Sequence, residues 1–225
     1  MNKLDGSFKK TIIRSRRRTI CLTITDNAEL VIKAPTFTPM SFIQDFVNQK
    51  SRWIQKKIAE MKSRPKAKQK EYENGEEFLY LGEKYQLRIA PSKIPVHLKD
   101  ELVISTKVWP HHKEALKKWY KKEAEAVIKD RCSIFSEIMN CSPRSIRISH
   151  AMKRWGSCTR SGKLNFSWRL VMTPLPIIDY VIVHELAHLH HLNHSKNFWQ
   201  VVKNTIPDYK KRENWLKENA NLLNI

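Results

Sequence analysis

Five of the nine histidines in this 225-residue chain lie in one stretch, "VIVHELAHLHHLNHSKNFW", and they are His184, His188, His190, His191 and His194. The first part of the stretch contains the pattern H-E-x-x-H, formed by His184, Glu185 and His188. On a helix, residues four apart lie on the same face, so the two imidazoles could bind one metal ion. The pattern therefore predicts a metal site on a helix.

Glu185 is adjacent to both predicted ligands, and its carboxylate could act as a general base toward a metal-bound water. A bound metal lowers the pKa of such a water toward about 7, which makes hydroxide available near neutral pH. The surrounding residues, "YVIVHELAHL", are otherwise apolar. Because buried imidazoles and a buried carboxylate are costly without a partner, this setting favours a metal over two unrelated surface histidines.

A catalytic zinc site takes a third protein ligand and keeps a fourth position open. His190 falls on the opposite side of the helix from His188 and is excluded as a ligand. His191 shares the ligand face but lies about 10 Å along the helix axis from His184. Three side chains spread over that length converge badly on one ion, so the third ligand is expected beyond the helix.

His194 meets this requirement, since Asn193 could end the helix in a left-handed conformation and Ser195 could cap the next helix. A carboxylate from the C-terminal helices, Glu213 or Glu218, is the alternative third ligand. Nothing near either glutamate favours it. The residue pattern alone thus prefers three histidines and leaves two histidines with a glutamate as the second arrangement.

The residues around the motif predict the elements that hold it. Pro176 suits the first turn of a helix that runs to about Leu192, a further helix starts near Ser195, and a last helix spans about 209–223. The segments "SIRIS" and "KLNFSWRLVM" alternate like strands just before this helical region. A long helix from about residue 110 to residue 139 precedes those strands.

Alternating apolar residues in the N-terminal half predict a hairpin over residues 11–34, a second hairpin turning at Gly82-Glu83, and strands in "IPVHL" and "ELVIST". One helix is predicted from Ser41 to about Met61. The chain is therefore expected to be α+β. A β-rich N-terminal region with one helix covers residues 1–106, and the catalytic region covers residues 107–225. The two regions could share one core.

The formal net charge of +20 favours anionic partners. Residues 144–169 contain seven Lys or Arg and no Asp or Glu, directly before the histidine stretch. Nucleic acid is a partner that the net charge allows, although no specific nucleic-acid motif is present. The sequence contains no membrane-spanning apolar run and no secretory signal, so we expect a cytoplasmic protein without a membrane partner. It does not indicate an oligomeric state.

Four segments near the motif, "RWGSC" (154–158), "LNFSWRL" (164–170), "P…DYVIVHELAHL" (176–189) and "NHSKNFW" (193–199), resemble the YgjP-like metallopeptidase family. Features of the front half, such as "YLGEKYQL" and "LKKWYKKEA", are similar as well. More distantly, the site is similar to SprT-like and other minimal zincin domains. The histidine spacing also matches metzincins, but His191 stands where a metzincin has glycine, so the turn must fall later, near Asn193.

The resemblance implies a zincin-like α+β domain with a small sheet and an active-site helix. It implies zinc, or another first-row divalent metal, bound by His184, His188 and His194, with Glu185 as the catalytic carboxylate. The implied activity is a zinc metallopeptidase acting on a peptide or protein. Because family members are also associated with pyrophosphate hydrolysis of UTP, a nucleoside triphosphate pyrophosphatase is the alternative. A zinc-stabilised nucleic-acid-binding module without catalysis is the second alternative.

Five residues before the motif helix are candidates for substrate contact or support. Arg154 could stabilise an oxyanion, hold a phosphate or form a structural ion pair. Ser157 is a candidate for substrate binding, and Asn165 could present its amide to a peptide along an edge strand or make a strand-end hydrogen bond. Gly156 is expected to allow a tight turn. Cys158 is expected to be a buried free thiol, because a fourth protein ligand would close the site.

Overall fold

The computed structural model describes residues 9–25, 27–63, 70–152 and 154–223. The chain forms two compact units, Met1–Pro65 and Lys66–Ile225. The boundary expected at residue 106 falls inside the second unit. The reason is that strands before this boundary and a long helix after it contribute to the same hydrophobic core. No helix in the described ranges is both long and apolar enough to cross a bilayer.

The first unit is a three-stranded sheet followed by two helices. Its strands are β1 (Lys10–Ser15), β2 (Cys21–Ile24) and β3 (Leu30–Pro35), in the order β1-β3-β2. The predicted hairpin is confirmed by the antiparallel β2–β3 pair, and β1 pairs with β3 in parallel. In place of the single predicted helix, the structure has two helices, α1 (Met40–Gln49) and α2 (Ser51–Ser63). They are separated at Lys50, whose backbone leaves the helical conformation.

The second unit begins with a four-stranded sheet. It contains β4 (Glu77–Tyr80), β5 (Glu83–Ala90), β6 (Val96–Leu98) and β7 (Leu102–Ser105), in the order β4-β5-β7-β6. Leu81 and Gly82 connect β4 to β5 with φ angles of 48° and 87°. Two successive positive φ values are typical of a tight hairpin turn whose twist matches the flanking strands. The second predicted hairpin is thereby confirmed.

Helix α3 (His112–Ile138) and a second small sheet follow. The sheet contains β8 (Ser145–Ser149), β9 (Gly156–Cys158) and β10 (Lys163–Ser167), with β10 in the centre. The segment "KLNFSWRLVM" is a strand only up to Ser167, and its remainder forms a 3-10 turn over Trp168–Met172. Trp168 and its neighbours in this turn are buried between α3 and the following helix, which explains the continuous apolar run.

Three helices complete the unit: α4 (Leu175–His190), α5 (Lys196–Thr205) and α6 (Tyr209–Asn219). Helix α4 has Pro176 in its first turn, as predicted, and is buried on most sides. Its carboxylate Asp179 accepts two hydrogen bonds from the guanidinium of Arg131 on α3, at 2.7 and 2.8 Å. This pair fixes the first turns of α4, the helix that carries the H-E-x-x-H motif, against α3. The expected α+β class is confirmed.

Candidate metal centre

The three predicted histidine ligands come together in the structure. Helix α4 carries His184 and His188 one turn apart, and the segment before α5 brings His194 to them. One nitrogen from each ring lies within 4.8 Å of the other two. The Nε2 atoms of His184 and His194 are 3.0 Å apart. Since His194 is exposed, the cluster is open to solvent on that side.

The chain turns earlier than expected between the second and third histidines. Helix α4 ends at His190, and His191 has extended backbone with φ −139° and ψ 110°. Asn193 has no positive φ, so the predicted left-handed turn at this residue is wrong. The extended backbone of His191 already redirects the chain. Ser195 caps α5 as predicted, because its hydroxyl accepts a hydrogen bond from the Phe198 backbone N–H at 3.4 Å.

His188 is oriented by the backbone of its neighbour. Its Nδ1 lies 3.1 Å from the carbonyl oxygen of His191, which can only accept, so Nδ1 donates. That tautomer leaves the Nε2 lone pair free for a metal, a common arrangement for metal-binding histidines. His191 thus supports the site through its backbone. His190 points elsewhere, since its Nε2 lies 3.1 Å from the carbonyl of Met139.

His184 is held mainly by aromatic rings. The rings of Tyr180, Phe198 and Trp199 lie 6.0, 5.0 and 5.7 Å from its ring, centroid to centroid. Burial, together with the neighbouring His188 and His194, lowers the pKa of His184 to about 4. The ring is therefore neutral near pH 7, which is the form that binds metal.

Glu185 is buried against strand β9. Only 6% of its surface is exposed, and burial raises its pKa to about 7, while the positive charge of Arg154 opposes that rise. A Cβ built on Gly156 would lie 2.5 Å from Oε1 of Glu185 and 2.6 Å from its Cγ. The tight turn predicted at Gly156 is wrong. Gly156 lies within a strand, and the absence of a side chain lets β9 approach the carboxylate.

Two of the candidate substrate residues lie on one face of the small sheet, and the third precedes strand β9. Because Gly156 faces Glu185 and side chains alternate along a strand, Ser157 faces the other way. Asn165 pairs directly with Ser157, so it shares that opposite face, and it lies on the central strand β10 rather than on an edge. Arg154 precedes β9 and is exposed, with its charge acting on Glu185.

Two further candidates lie outside the histidine cluster. Cys158 is a free thiol whose Sγ donates to the carbonyl of Thr159 at 3.3 Å, and burial together with the charge of Glu185 raises its pKa. It is half-buried rather than fully buried. Glu213 forms an ion pair with Lys217 at 2.6 Å. Among the described residues, no carboxylate joins the three imidazoles.

The donor set fits a divalent first-row metal. Two nitrogens bound to one tetrahedral zinc at the usual bond length are about 3.3 Å apart, and the His184 and His194 Nε2 atoms are 3.0 Å apart. Three neutral imidazoles suit zinc and its first-row neighbours. With three protein ligands, a tetrahedral ion keeps one open position, as catalytic sites require.

Sequence patterns do not predict three contacts that support the site. The close approach of Gly156 to Glu185 joins residues far apart in the chain, as does the ion pair between Arg131 and Asp179. Tyr180 lies four residues before His184 on α4, and that spacing could have indicated a ring beside the site. Phe198 of α5 packs against the histidines, and its ring lies 4.6 Å from that of His188, centroid to centroid.

Residues 18–219 match the family described as YgjP-like, metallopeptidase domain. The chain belongs to this family. Membership of the YgjP-like family implies a metal-dependent hydrolase of the peptidase class, and the structure contains a three-histidine cluster that could hold a metal ion.

Two solved structures resemble parts of this YgjP-like chain. The metallopeptidase zymogen abylysin of Pyrococcus abyssi is 21% identical, with a TM-score of 0.38 over 40% of this chain and 90% of that one. The metallopeptidase zymogen jannalysin of Methanocaldococcus jannaschii is 19% identical, with a TM-score of 0.36 over 41% and 95%. No curated protein matches the chain.

Proposed function

We propose that this protein is a zinc-dependent peptidase whose metal is held by His184, His188 and His194. The observation that carries the proposal is the meeting of three imidazole nitrogens within 4.8 Å, on a helix where the buried Glu185 directly follows His184 in the sequence. When bound, the ion would act as a Lewis acid at the open fourth position. Another first-row divalent metal would serve the same ligands.

The proposed role of Glu185 is that of general base and then general acid. Its carboxylate accepts a proton from the water that attacks the amide carbonyl, and it later returns the proton to the leaving amine nitrogen as the C–N bond breaks. The raised pKa, about 7, suits both steps, because a catalytic group works best when its pKa lies near the working pH. Burial against β9 keeps the carboxylate in one position.

The proposed substrate is an extended peptide lying along β9. This strand is at the edge of its sheet, and Gly156 brings its backbone into contact with Glu185. An extended segment added at such an edge gains backbone hydrogen bonds. Arg154 would contact the substrate or its oxyanion, and Ser157 and Asn165 would act through the strand pair that positions β9.

The test is a side-by-side assay of the purified protein on a fluorogenic peptide library, an unfolded protein and UTP. We expect peptide cleavage that is lost with chelator and in the Glu185→Gln variant, and no pyrophosphate release from UTP. Pyrophosphate release that depends on Glu185, without peptide cleavage, would instead assign a nucleoside triphosphate pyrophosphatase. A function that survives Glu185→Gln would indicate a non-catalytic role, such as nucleic-acid binding.

A further inference from the structure

A groove of about 820 Å³ lies in the second unit, away from the histidine cluster along the chain. It runs between the first three turns of α3, the 3-10 turn Thr106–Val108 and the segment that leads into β6. Its apolar lining comes mainly from Ile94, Val96, Val108, Ala115 and Trp119. None of these residues is used by the proposed catalytic site.

The groove is bordered by positive charge. Lys107, Lys118 and Lys122 line it, with His111 and a single acid, Glu114. Within the described part of the chain, none of the three lysines forms an ion pair, although other lysines of the same protein do. Lys118 and Lys122 are one helical turn apart, so their charges lie side by side along one wall. Such a border is complementary to carboxylates.

The groove lining also includes Val96 of strand β6. Strand β6 is the last strand of its sheet, paired only with β7 in the described residues. Hydrogen bonds from Ser105 N to Pro95 O (2.9 Å) and from Lys99 N to Glu101 O (3.2 Å) set the register. Because hydrogen-bonded and non-bonded pairs alternate, the backbone polar groups of Val96 and Leu98 point away from β7.

We propose that this groove binds an extended acidic peptide segment of a partner protein. The segment would add to the edge of β6 and place an apolar side chain against Trp119, with its carboxylates facing Lys118 and Lys122. The wall of α3 from His111 to Lys122 is about 16 Å long. An extended segment of about five residues spans that length.

The test measures binding of a fluorescein-labelled peptide of alternating Glu and Val by anisotropy, in a Glu185→Gln background that prevents cleavage. Lys118→Glu/Lys122→Glu is compared with Lys117→Glu/Lys121→Glu, which has the same spacing and charge change outside the groove lining. We expect the affinity for the Glu–Val peptide to fall about tenfold or more in Lys118→Glu/Lys122→Glu and to stay close to the parent value in the control variant. The affinity of the parent protein should also fall with added salt. Equal weakening in both variants would overturn the proposal, as would equal binding of a Lys–Val peptide.

A second variant tests the groove without changing charge. Ala115→Trp would fill the space beside Trp119, and it should abolish peptide binding while the metal content and the melting temperature stay close to those of the parent protein. Unaltered binding in this variant would refute the groove as the site. Light scattering on the parent and Ala115→Trp proteins completes the design. A dimer that becomes a monomer in the variant would assign the groove to self-association and overturn the proposal.

Discussion

The contact between Gly156 and Glu185 predicts that Gly156→Ala lowers the free energy of unfolding, whereas the same substitution in an open strand would raise it. Gly156 lies in a strand and does not have the positive φ that favours glycine. In such a place, Gly→Ala alone would stabilise the protein by roughly 0.5–1 kcal/mol, because alanine loses less backbone entropy on folding. The added Cβ would, however, lie 2.5 Å from Oε1 of Glu185, 2.6 Å from its Cγ and 2.8 Å from its Cδ.

Those distances require a movement of about 1 Å before ordinary carbon contacts of about 3.5 Å are restored. Glu185 has little room, since it is 6% exposed. Forcing an extra methyl group into a packed site typically costs about 1–3 kcal/mol, so Gly156→Ala should be destabilised by up to about 2.5 kcal/mol after the entropy gain. A displacement of about 1 Å at a catalytic group can cost about 100-fold in kcat/KM.

The assay combines urea unfolding, metal analysis and peptide cleavage. Gly156→Ala should lose stability and activity while still binding its metal. Ser157→Ala, on the other face of the same strand, should stay within about 0.5 kcal/mol of wild type. In a Glu185→Asp background the shorter side chain should reduce the cost of the alanine by about 1 kcal/mol or more. A stabilised and fully active Gly156→Ala protein would refute the close approach.

Three further predictions concern an ion pair, a buried thiol of the core and the carboxylate of the site. Asp179→Asn should lower the free energy of unfolding in urea by about 2–3 kcal/mol, since it leaves the largely buried Arg131 without its charge partner, and a loss below about 0.5 kcal/mol would contradict this. Burial raises the pKa of Cys132 to about 12, so iodoacetamide at pH 8 should label it only in urea, as read by mass spectrometry; labelling of the folded protein would disprove its burial. In metal-free protein, Glu185 holds a proton up to about pH 7 when folded but releases it near its ordinary value of 4.5 when unfolded. As pH rises from about 4.5 to 7, wild type should therefore lose stability relative to Glu185→Gln, by up to about 1.4 kcal/mol per pH unit, and a constant difference would contradict the raised pKa.

Local patterns predicted the parts of this structure that depend on neighbours in the sequence. The helix spacing of His184 and His188, the capping serine Ser195 and the alternation of β2 and β3 all report local geometry, and each is borne out. The sequence favours His194 as the third ligand, because that ligand has to come from beyond the helix. The structure brings it to the other two histidines, although the chain turns at His191 rather than at Asn193.

The remaining features depend on contacts between distant segments. The parallel pairing of β1 with β3 and the approach of Gly156 to Glu185 leave no periodic trace in the sequence. The separation of α1 from α2 at Lys50 is marked by neither glycine nor proline. The faces of Ser157 and Asn165 depend on the register between β9 and β10, and a shift of one residue would have reversed them.

The most direct test of the account is the metal stoichiometry of three purified proteins, measured by mass spectrometry after dialysis against trace zinc. Wild type and Glu185→Gln should each hold one zinc ion per chain, and only wild type should cleave peptides. His194→Ala should lose most of its metal while its helical circular dichroism is retained. Full zinc occupancy in His194→Ala, or a wild-type protein that binds no metal, would contradict the three-histidine centre.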